Sequence, residues 1–364
     1  MVLRLGTEAR DAVFGSLDSF IYMPSWLAEA VQKEGGKIRF DRFMELALFD
    51  PIHGYYSAQM QTIGDRGDFS TAATLDDSLG RAVARWIRAE AKALRLPNLT
   101  IIEIGPGTGR LARTILRRFR PWENIRYYIV DVGARNLPSH QIKQFKSVKE
   151  ALSGAGGVAI LFSNELVDAF PCRRFVRTES GWDEIWIELQ EGRWQERTIP
   201  AQTYPESSAS SPTFAIGQSV EIHESYHSWL KELSSSLRKG TLLTIDYGGS
   251  AAEIYRGKRS GTLRAFFQHQ RLEGMEIYRR PGRQDLTADV NFDDLRSWGH
   301  ALGFDEIAYV TQRDFIERWY PEALQRDNAA TRFVLDPAGA GMAFKVLHHR
   351  RVARSSADPN AHNR

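Results

Sequence analysis

Thr100-Ile101-Ile102-Glu103-Ile104-Gly105-Pro106-Gly107-Thr108-Gly109-Arg110-Leu111 is the stretch whose reading decides the fold. Its first half is nearly continuously apolar, as expected of a strand buried on both faces of a parallel sheet. Its second half places three glycines at alternate positions ahead of a helix-forming segment. A glycine loop between a buried strand and a helix lets the backbone approach a ligand closely. Dinucleotides and other nucleoside cofactors share that outline, so the glycines alone do not choose among them.

Glu103 does choose. It ends the strand two residues before Gly105, where a pyrophosphate would be repelled. S-adenosyl-L-methionine has no phosphate and carries an ammonium and a sulfonium, so a carboxylate here selects it over a dinucleotide. Asp131 closes the next apolar strand, 127–130, and lies 22 residues past Gly109, where an acidic residue binds ribose hydroxyls. The cofactor-side candidates are therefore Glu103, Gly105, Gly107, Gly109 and Asp131. A second loop, 64–71, is too rich in Gly and Asp for a core. Its Gly67 and Asp68 offer backbone amides for the cofactor carboxylate, and Phe69 a ring for the adenine. A plain tight turn is the competing reading of that loop.

Outward from the glycine loop, apolar runs alternate with helical patterns. Strands are expected at Thr100–Ile104, 127–130, 158–162 and 241–245, giving an α/β, doubly wound, Rossmann-like sheet. Upstream, Ser25–Lys33, Phe40–Phe49 and 79–94 have apolar residues at helical spacing. Segments 175–178, 184–189 and 193–198 read as an antiparallel meander. The stretch 254–292, rich in Arg and aromatics without clear periodicity, reads as a lid, and 306–310 and 342–348 as closing strands. The expected organisation is an N-terminal helical extension with a cofactor-side loop over 1–98 and a Rossmann-like domain over 99–350. That domain carries antiparallel and lid insertions at about 172–238 and 250–295, and 351–364 forms a polar tail.

A second constellation follows the strand at 158–162: Ser163-Asn164-Glu165-Leu166-Val167-Asp168-Ala169-Phe170-Pro171. Residues just past the carboxyl ends of strands face the ligand crevice of a doubly wound sheet. If this segment is helical, Glu165 and Asp168 at i and i+3 share a face. Negative charge beside a sulfonium can hold a cationic guanidinium, or take the proton released after methyl transfer. Asn164, Glu165 and Asp168 are accordingly the catalytic candidates.

Bulk properties exclude more than they assign. The 364 residues carry a net charge of +3, too small to argue for nucleic acid, and 42% are hydrophobic, ordinary for a globular protein. The one cysteine, Cys172, forbids an intrachain disulfide and has no His neighbour to make it a nucleophile. The histidines lack ligand spacing, so no metal is expected. No apolar run reaches the length of a membrane helix. Residues 1–20 hold Asp11 and Asp18 and no apolar h-region, so a cytoplasmic location is expected. The oligomeric state, including a homodimer, is left open.

Several segments together resemble the MidA family of S-adenosyl-L-methionine-dependent methyltransferases. They are Phe43-Met44, Pro51-x-x-Gly54-Tyr55-Tyr56, Gly64-x-x-Gly67-Asp68-Phe69-x-Thr71, the glycine loop, and Asn164-Glu165-x-x-Asp168-Ala169-x-Pro171. Asp246-Tyr247-Gly248, Gly261-Thr262-Leu263-Arg264 with His269, Pro281-Gly282-x-x-Asp285-Leu286-Thr287-Ala288 and Phe344-Lys345-Val346-Leu347 continue the match. The resemblance spans roughly 38–348. It implies a class I methyltransferase fold with an N-terminal extension and lid elements, and a place for Gly67-Asp68-Phe69 at the cofactor. The family's mitochondrial complex I assembly member is an arginine methyltransferase, which makes a protein arginine the leading acceptor here and His269 a further catalytic candidate. A small-molecule O- or N-methyltransferase and a non-catalytic assembly factor are the alternatives. Three departures bear on this. Gly133-Ala134 replaces a usual Ser-Pro, Phe170 a usual Leu, and Phe266-Phe267 stand where polar residues or tyrosine are frequent.

Overall fold

In the computed structural model, residues 24–58, 76–132, 142–190, 193–211 and 213–352 are described. Seven strands build the central sheet: β1 (Thr100–Ile104), β2 (Arg126–Val130), β3 (Ile142–Phe145), β4 (Val158–Asn164), β5 (Lys239–Gly249), β6 (Asp305–Thr311) and β7 (Phe344–Val352). Their order is β3-β2-β1-β4-β5-β7-β6. The first five pair in parallel, and β7 runs antiparallel to both β5 and β6. A two-residue strand, Val290–Asn291, pairs in parallel with the far end of β5.

Period-two alternation sorts the apolar side chains onto the two faces of this sheet. Ile101, Tyr127, Ile129, Ile160, Phe162, Leu243 and Ile245 pack with the helices Ser78–Ala93 and Arg110–Leu116. Ile102, Ile104, Tyr128, Leu161, Leu242 and Leu347 face the helices Val148–Gly154, Glu224–Ser236 and Phe292–Ala301. The helix Ser78–Ala93, grouped by sequence with the N-terminal extension, thus buries its apolar face in the central core. Its contact with Arg110–Leu116 is tight, since a Cβ on Gly80 would lie 2.5 Å from Thr114 Cγ2.

A second core lies among the N-terminal helices Ser25–Lys33 and Phe40–Phe49, the meander and the 263–288 segment. The meander extends into a five-stranded antiparallel sheet, with Lys37–Arg39 added to Gly181–Gln190 and Ser219–Ile222 added to Arg173–Thr178. The lid stretch corrects the expectation of irregular chain. Arg264–Phe267, Gln270–Leu272 and Asp285–Thr287 form a three-stranded antiparallel sheet. These strands are three or four residues long, too short to show alternation in sequence. Two further differences are small. β3 was not anticipated, because only four residues carry it, three half-buried and Lys143 exposed, and the last strand begins at Phe344, after the short helix Ala340–Ala343. Among the described residues no helix is long and apolar enough to cross a membrane.

Strand order reverses between β1 and β4. In open α/β sheets the ligand crevice lies outside the carboxyl ends of the strands at such a switch point.

Candidate functional site

At the carboxyl end of β1 all three glycines have positive φ: +67° at Gly105, +54° at Gly107 and +69° at Gly109. An L side chain pays about 1–2 kcal/mol for each such residue, so this loop path calls for glycine. The Gly105 N–H donates to the Val130 carbonyl at 2.9 Å, tying the loop to the end of β2. Among the described residues, a Cβ on Gly105 would lie 2.7 Å from Leu166 Cδ1, whereas one on Gly107 would meet nothing within 4 Å. Gly107 thus borders open space at the switch point.

Glu103 is 2% exposed, and the Tyr127 hydroxyl donates to its Oε2 at 2.7 Å. Burial pushes this carboxyl up to about 8; the Tyr127 hydrogen bond and the Arg113 guanidinium oppose the rise, and Asp131 adds to it. Asp131, also buried, ends the adjacent strand. On the β4 side, Ser163 Oγ and Asn164 Oδ1 are buried without a hydrogen-bond partner among the described residues. Two carboxyls and two orphaned oxygens around an open glycine cradle suit a ligand with positive charge and with hydroxyl and amine donors. S-adenosyl-L-methionine is such a ligand, and Glu103 and Asp131 are the candidates to hold it. Gly67, Asp68 and Phe69 lie outside the described residues.

The acceptor side begins where β4 ends. Asn164 is the last residue paired with β5, and the Glu165 N–H still donates to the Ile245 carbonyl at 2.9 Å. The chain then turns sharply, with Glu165 at φ +51°. The sequence reading allowed a helix in which Glu165 and Asp168 share a face. The structure corrects this: Glu165 is left-handed and only Val167–Ala169 makes a 3₁₀ turn. The reason is Asp246, fully buried, whose Oδ2 accepts three successive amides, from Leu166 (3.1 Å), Val167 (3.0 Å) and Asp168 (3.3 Å). Its Oδ1 accepts the Tyr247 N–H at 2.9 Å.

Glu165 Oε1 accepts from Asn164 Nδ2 at 3.2 Å. The Asp168 carboxylate accepts the Tyr247 hydroxyl, and its carbonyl accepts the Ala288 N–H at 3.0 Å. The Arg264 guanidinium sits 4.5 Å from the Tyr247 ring centroid and donates to Asp289 Oδ1 at 2.6 Å. Nearby, the Tyr56 hydroxyl donates to Asp285 Oδ1 at 2.8 Å. Burial pushes Asp168 up to about 6, with Tyr247 and Arg264 holding it lower than burial alone would. Burial, and then repulsion from Asp168 and Glu165, raises Asp246 as well. Three carboxyls therefore gather at the ends of β4 and β5, and their mutual repulsion favours a cation there.

Asp246, Tyr247 and Arg264 were visible in sequence as parts of matched segments but received no role. The signal was available: Asp246-Tyr247 follows the apolar run 241–245, as Glu165 follows β4. His269 is placed elsewhere. It is exposed, at φ +63°, beside Gln268 at +48°, in the two-residue turn between paired Phe267 and Gln270. That is a type I′ hairpin tip, roughly 15 Å along the strand from Arg264. No hydrogen bond joins it to the three carboxyls among the described residues. Cys172 is buried 4.0 Å from Met44 Sδ, and burial pushes its thiol up, as expected of a core residue rather than a nucleophile.

A sheet of order 3-2-1-4-5-7-6 with a reversed seventh strand and an acid-flanked glycine loop at its switch point defines the class I S-adenosyl-L-methionine-dependent methyltransferases. Comparison with known proteins places the chain within that class. The profile of the S-adenosyl-L-methionine-dependent methyltransferase family Methyltransf_28 matches residues 82–310, more than half of the chain, and the chain belongs to this family. The mouse protein arginine methyltransferase NDUFAF7, mitochondrial, is 24% identical, with 90% of this chain and 85% of that one covered. The zebrafish protein of the same name is 27% identical, with 78% and 73% covered. Among solved structures, a superfamily member from Burkholderia thailandensis bound to S-adenosyl-homocysteine superposes with a TM-score of 0.78. It is 24% identical over 91% of this chain and 92% of that one, and supports the fold.

Proposed function

We propose that this methyltransferase acts on the guanidinium of a protein arginine, with Glu165 and Asp168 as the residues that engage it. The observation that carries this reading is the gathering of Glu165, Asp168 and Asp246 at the carboxyl ends of β4 and β5, beside the glycine loop. The names of the curated relatives, protein arginine methyltransferases, support the same acceptor. When bound, the cofactor supplies an electrophilic methyl group on a sulfonium. The residues of this chain do the rest. The carboxylates orient the guanidinium in line with the methyl, and positioning of this kind removes much of the barrier. Asp168, at about 6, is ionised at neutral pH and takes the proton that the nitrogen loses as its bond to carbon forms.

The test is incubation of the purified chain with isotopically labelled S-adenosyl-L-methionine and host-cell lysate, followed by acid hydrolysis and mass spectrometry. Label in methylarginine from protein is the expected result. Label in small solutes alone transfers the reading to a small-molecule acceptor. Location is a separate matter. The relatives' names carry the mitochondrion, whereas the sequence led to an expectation of cytoplasm; fractionation of the tagged chain decides between the two.

A further inference from the structure

We propose that Asp246 and Tyr247, at the carboxyl end of β5, are the positioning residues of the acceptor side: Asp246 fixes the Glu165 turn and Tyr247 aims the Asp168 carboxylate. This rests on reading Glu165 and Asp168 as the acceptor-side carboxylates.

The geometry begins with unequal strand lengths. β4 pairs with β5 only as far as Asn164 opposite Ile245, so Asp246 is the first residue of β5 with no partner on the β4 side. On its other side it remains in the ladder, opposite Lys345 of β7. Its backbone is thereby held while its side chain reaches the end of β4. Just there the chain reverses and presents three successive amides. The Ile245 carbonyl is already taken by Glu165, and the Asp246 carboxylate accepts all three. Three hydrogen bonds converging on one buried carboxyl oxygen hold Glu165 in a conformation that its own side chain disfavours.

Tyr247 is fixed from both sides. Its ring meets Phe344 edge-on at 5.7 Å, and the Arg264 guanidinium lies over it at 4.5 Å. Arg264 is anchored in turn by Asp289 and the Thr262 carbonyl. The next residue, Gly248, is pressed against the Val290 backbone, where a Cβ would lie 2.1 Å from the carbonyl oxygen. A ring so placed has one direction for its hydroxyl, and Asp168 stands in it. Neither side chain needs to touch the acceptor; each acts through a carboxylate that does.

The test uses the full chain with three substitutions, Asp246→Ala, Asp246→Asn and Tyr247→Phe. Three measurements are made: amide hydrogen exchange, calorimetry with S-adenosyl-homocysteine, and incorporation of labelled methyl into lysate protein at saturating cofactor. For Asp246→Ala, exchange at the amides of Leu166, Val167 and Asp168 should rise on the order of tenfold or more, with that at Gly105 unchanged. Cofactor affinity should stay within about twofold and methyl incorporation should fall about a hundredfold, the scale of a misplacement near 1 Å. Asp246→Asn, which keeps a neutral acceptor, should recover part of both effects. Tyr247→Phe should leave the three amides protected and lower incorporation about tenfold. Wild-type exchange at 166–168 in Asp246→Ala overturns the proposal, as does increased exchange with wild-type incorporation. Should the alanine variant not fold, the asparagine variant decides: faster exchange at 166–168 supports the proposal and wild-type exchange overturns it. If the wild-type chain labels no protein, the arginine reading fails, while the exchange data alone decide the role of Asp246.

Discussion

Two alanines, placed two residues apart in the glycine loop, separate a structural requirement from a cofactor requirement. Gly105 and Gly107 both have left-handed φ, so Gly→Ala costs each about 1–2 kcal/mol. Part of this is offset by the stiffer unfolded chain, about 0.4–1 kcal/mol. At Gly107 the described residues add nothing further, because the new methyl meets none of their atoms within 4 Å. At Gly105 the methyl would come within 2.7 Å of Leu166, and overpacking adds about 1–3 kcal/mol. An unfolding entropy of about 2.1 cal/mol/K per residue over 364 residues makes 1 kcal/mol worth about 1.3 °C. Gly107→Ala should therefore lower the melting temperature by at most about 2 °C, and Gly105→Ala by about 1–6 °C. Cofactor affinity should respond most at Gly107. If its open space is the cofactor's seat, a methyl intruding there costs about 1–3 kcal/mol, about 5- to 150-fold in the dissociation constant of S-adenosyl-homocysteine. Calorimetry and thermal denaturation on the same preparations give both numbers. A folded Gly107→Ala chain that binds with wild-type affinity would refute the placement of the cofactor at this loop.

Glu103, at about 8, is mostly protonated at pH 7 and has an ordinary carboxylate pKa when unfolded. Because its folded pKa lies above the unfolded one, its contribution to stability is present at low pH and is lost as pH rises from about 4.5 to about 8. Glu103→Gln keeps the shape and cannot ionise, so it should melt higher than wild type at pH 8–9; equal melting curves would count against the raised value. Binding of cationic S-adenosyl-L-methionine beside Glu103 should release a proton at pH 7, seen as calorimetric heats that vary with the ionisation enthalpy of the buffer. Buffer-independent heats would remove Glu103 from the cofactor's charge. On the acceptor side, Asp168 at about 6 predicts that methyl transfer rises with pH through about 6, as the carboxylate ionises to engage a cation. Tyr247→Phe deletes a hydrogen bond that holds Asp168 down, so this limb should move to higher pH; a limb that stays in place belongs to another group.

The central sheet was legible because its strands are buried on both faces and thus read as unbroken apolar runs. Thr100–Ile104 is buried at every position, and the glycine loop follows it without a spacer. β3 escaped because Ile142-Lys143-Gln144-Phe145 lies at the sheet edge, where burial leaves little pattern. The lid sheet escaped for a related reason. Arg264, Asp285 and Thr287 are buried yet polar, with Arg264 bonded to Thr262 and Asp289 and Asp285 to Tyr56, so burial leaves no apolar pattern there. Site residues followed the same rule. Glu103, Asn164 and Glu165 stand at strand ends that sequence could locate, so the crevice rule named them. Asp246 stands at such an end too, but its task is to collect amides from a segment about eighty residues away, and no local pattern announces a partner at that distance. His269 drew attention through a matched segment, and hairpin geometry then placed it at an exposed tip.

The acceptor side draws on more of the chain than the cofactor side, and the sheet explains the asymmetry. The cofactor candidates described here end β1 and β2, adjacent parallel strands, and a single βαβ unit delivers them together. Around Asp168, by contrast, stand Tyr247 from β5, Arg264 from the lid sheet, Ala288 just past its last strand, and within reach of its charge Tyr56 from the N-terminal segment. A Rossmann core alone cannot place four such groups beyond one strand end, because its helices occupy the two faces and leave the carboxyl edge bare. The second core covers that need: the helix Phe40–Phe49, the meander and the 263–288 segment pack into one unit, which includes Ala169 from the acceptor turn itself. Of the departures noted in sequence, Phe266-Phe267 fall in this unit, whereas Phe170 packs against Tyr226 and Trp229 of the central core and Gly133-Ala134 lie outside the described residues. Phe266 pairs with Asp285, and the Arg280 guanidinium lies 4.5 Å from the Phe267 ring. Variation in the inserted unit therefore changes the surroundings of Asp168 without disturbing the glycine loop. The two sides meet where Leu166 of the acceptor turn rests against Gly105 of the cofactor loop. A change in one is passed to the other through that contact, which is why Gly105→Ala should slow methyl transfer beyond its effect on cofactor affinity, whereas the loss in Gly107→Ala should be recovered at saturating cofactor.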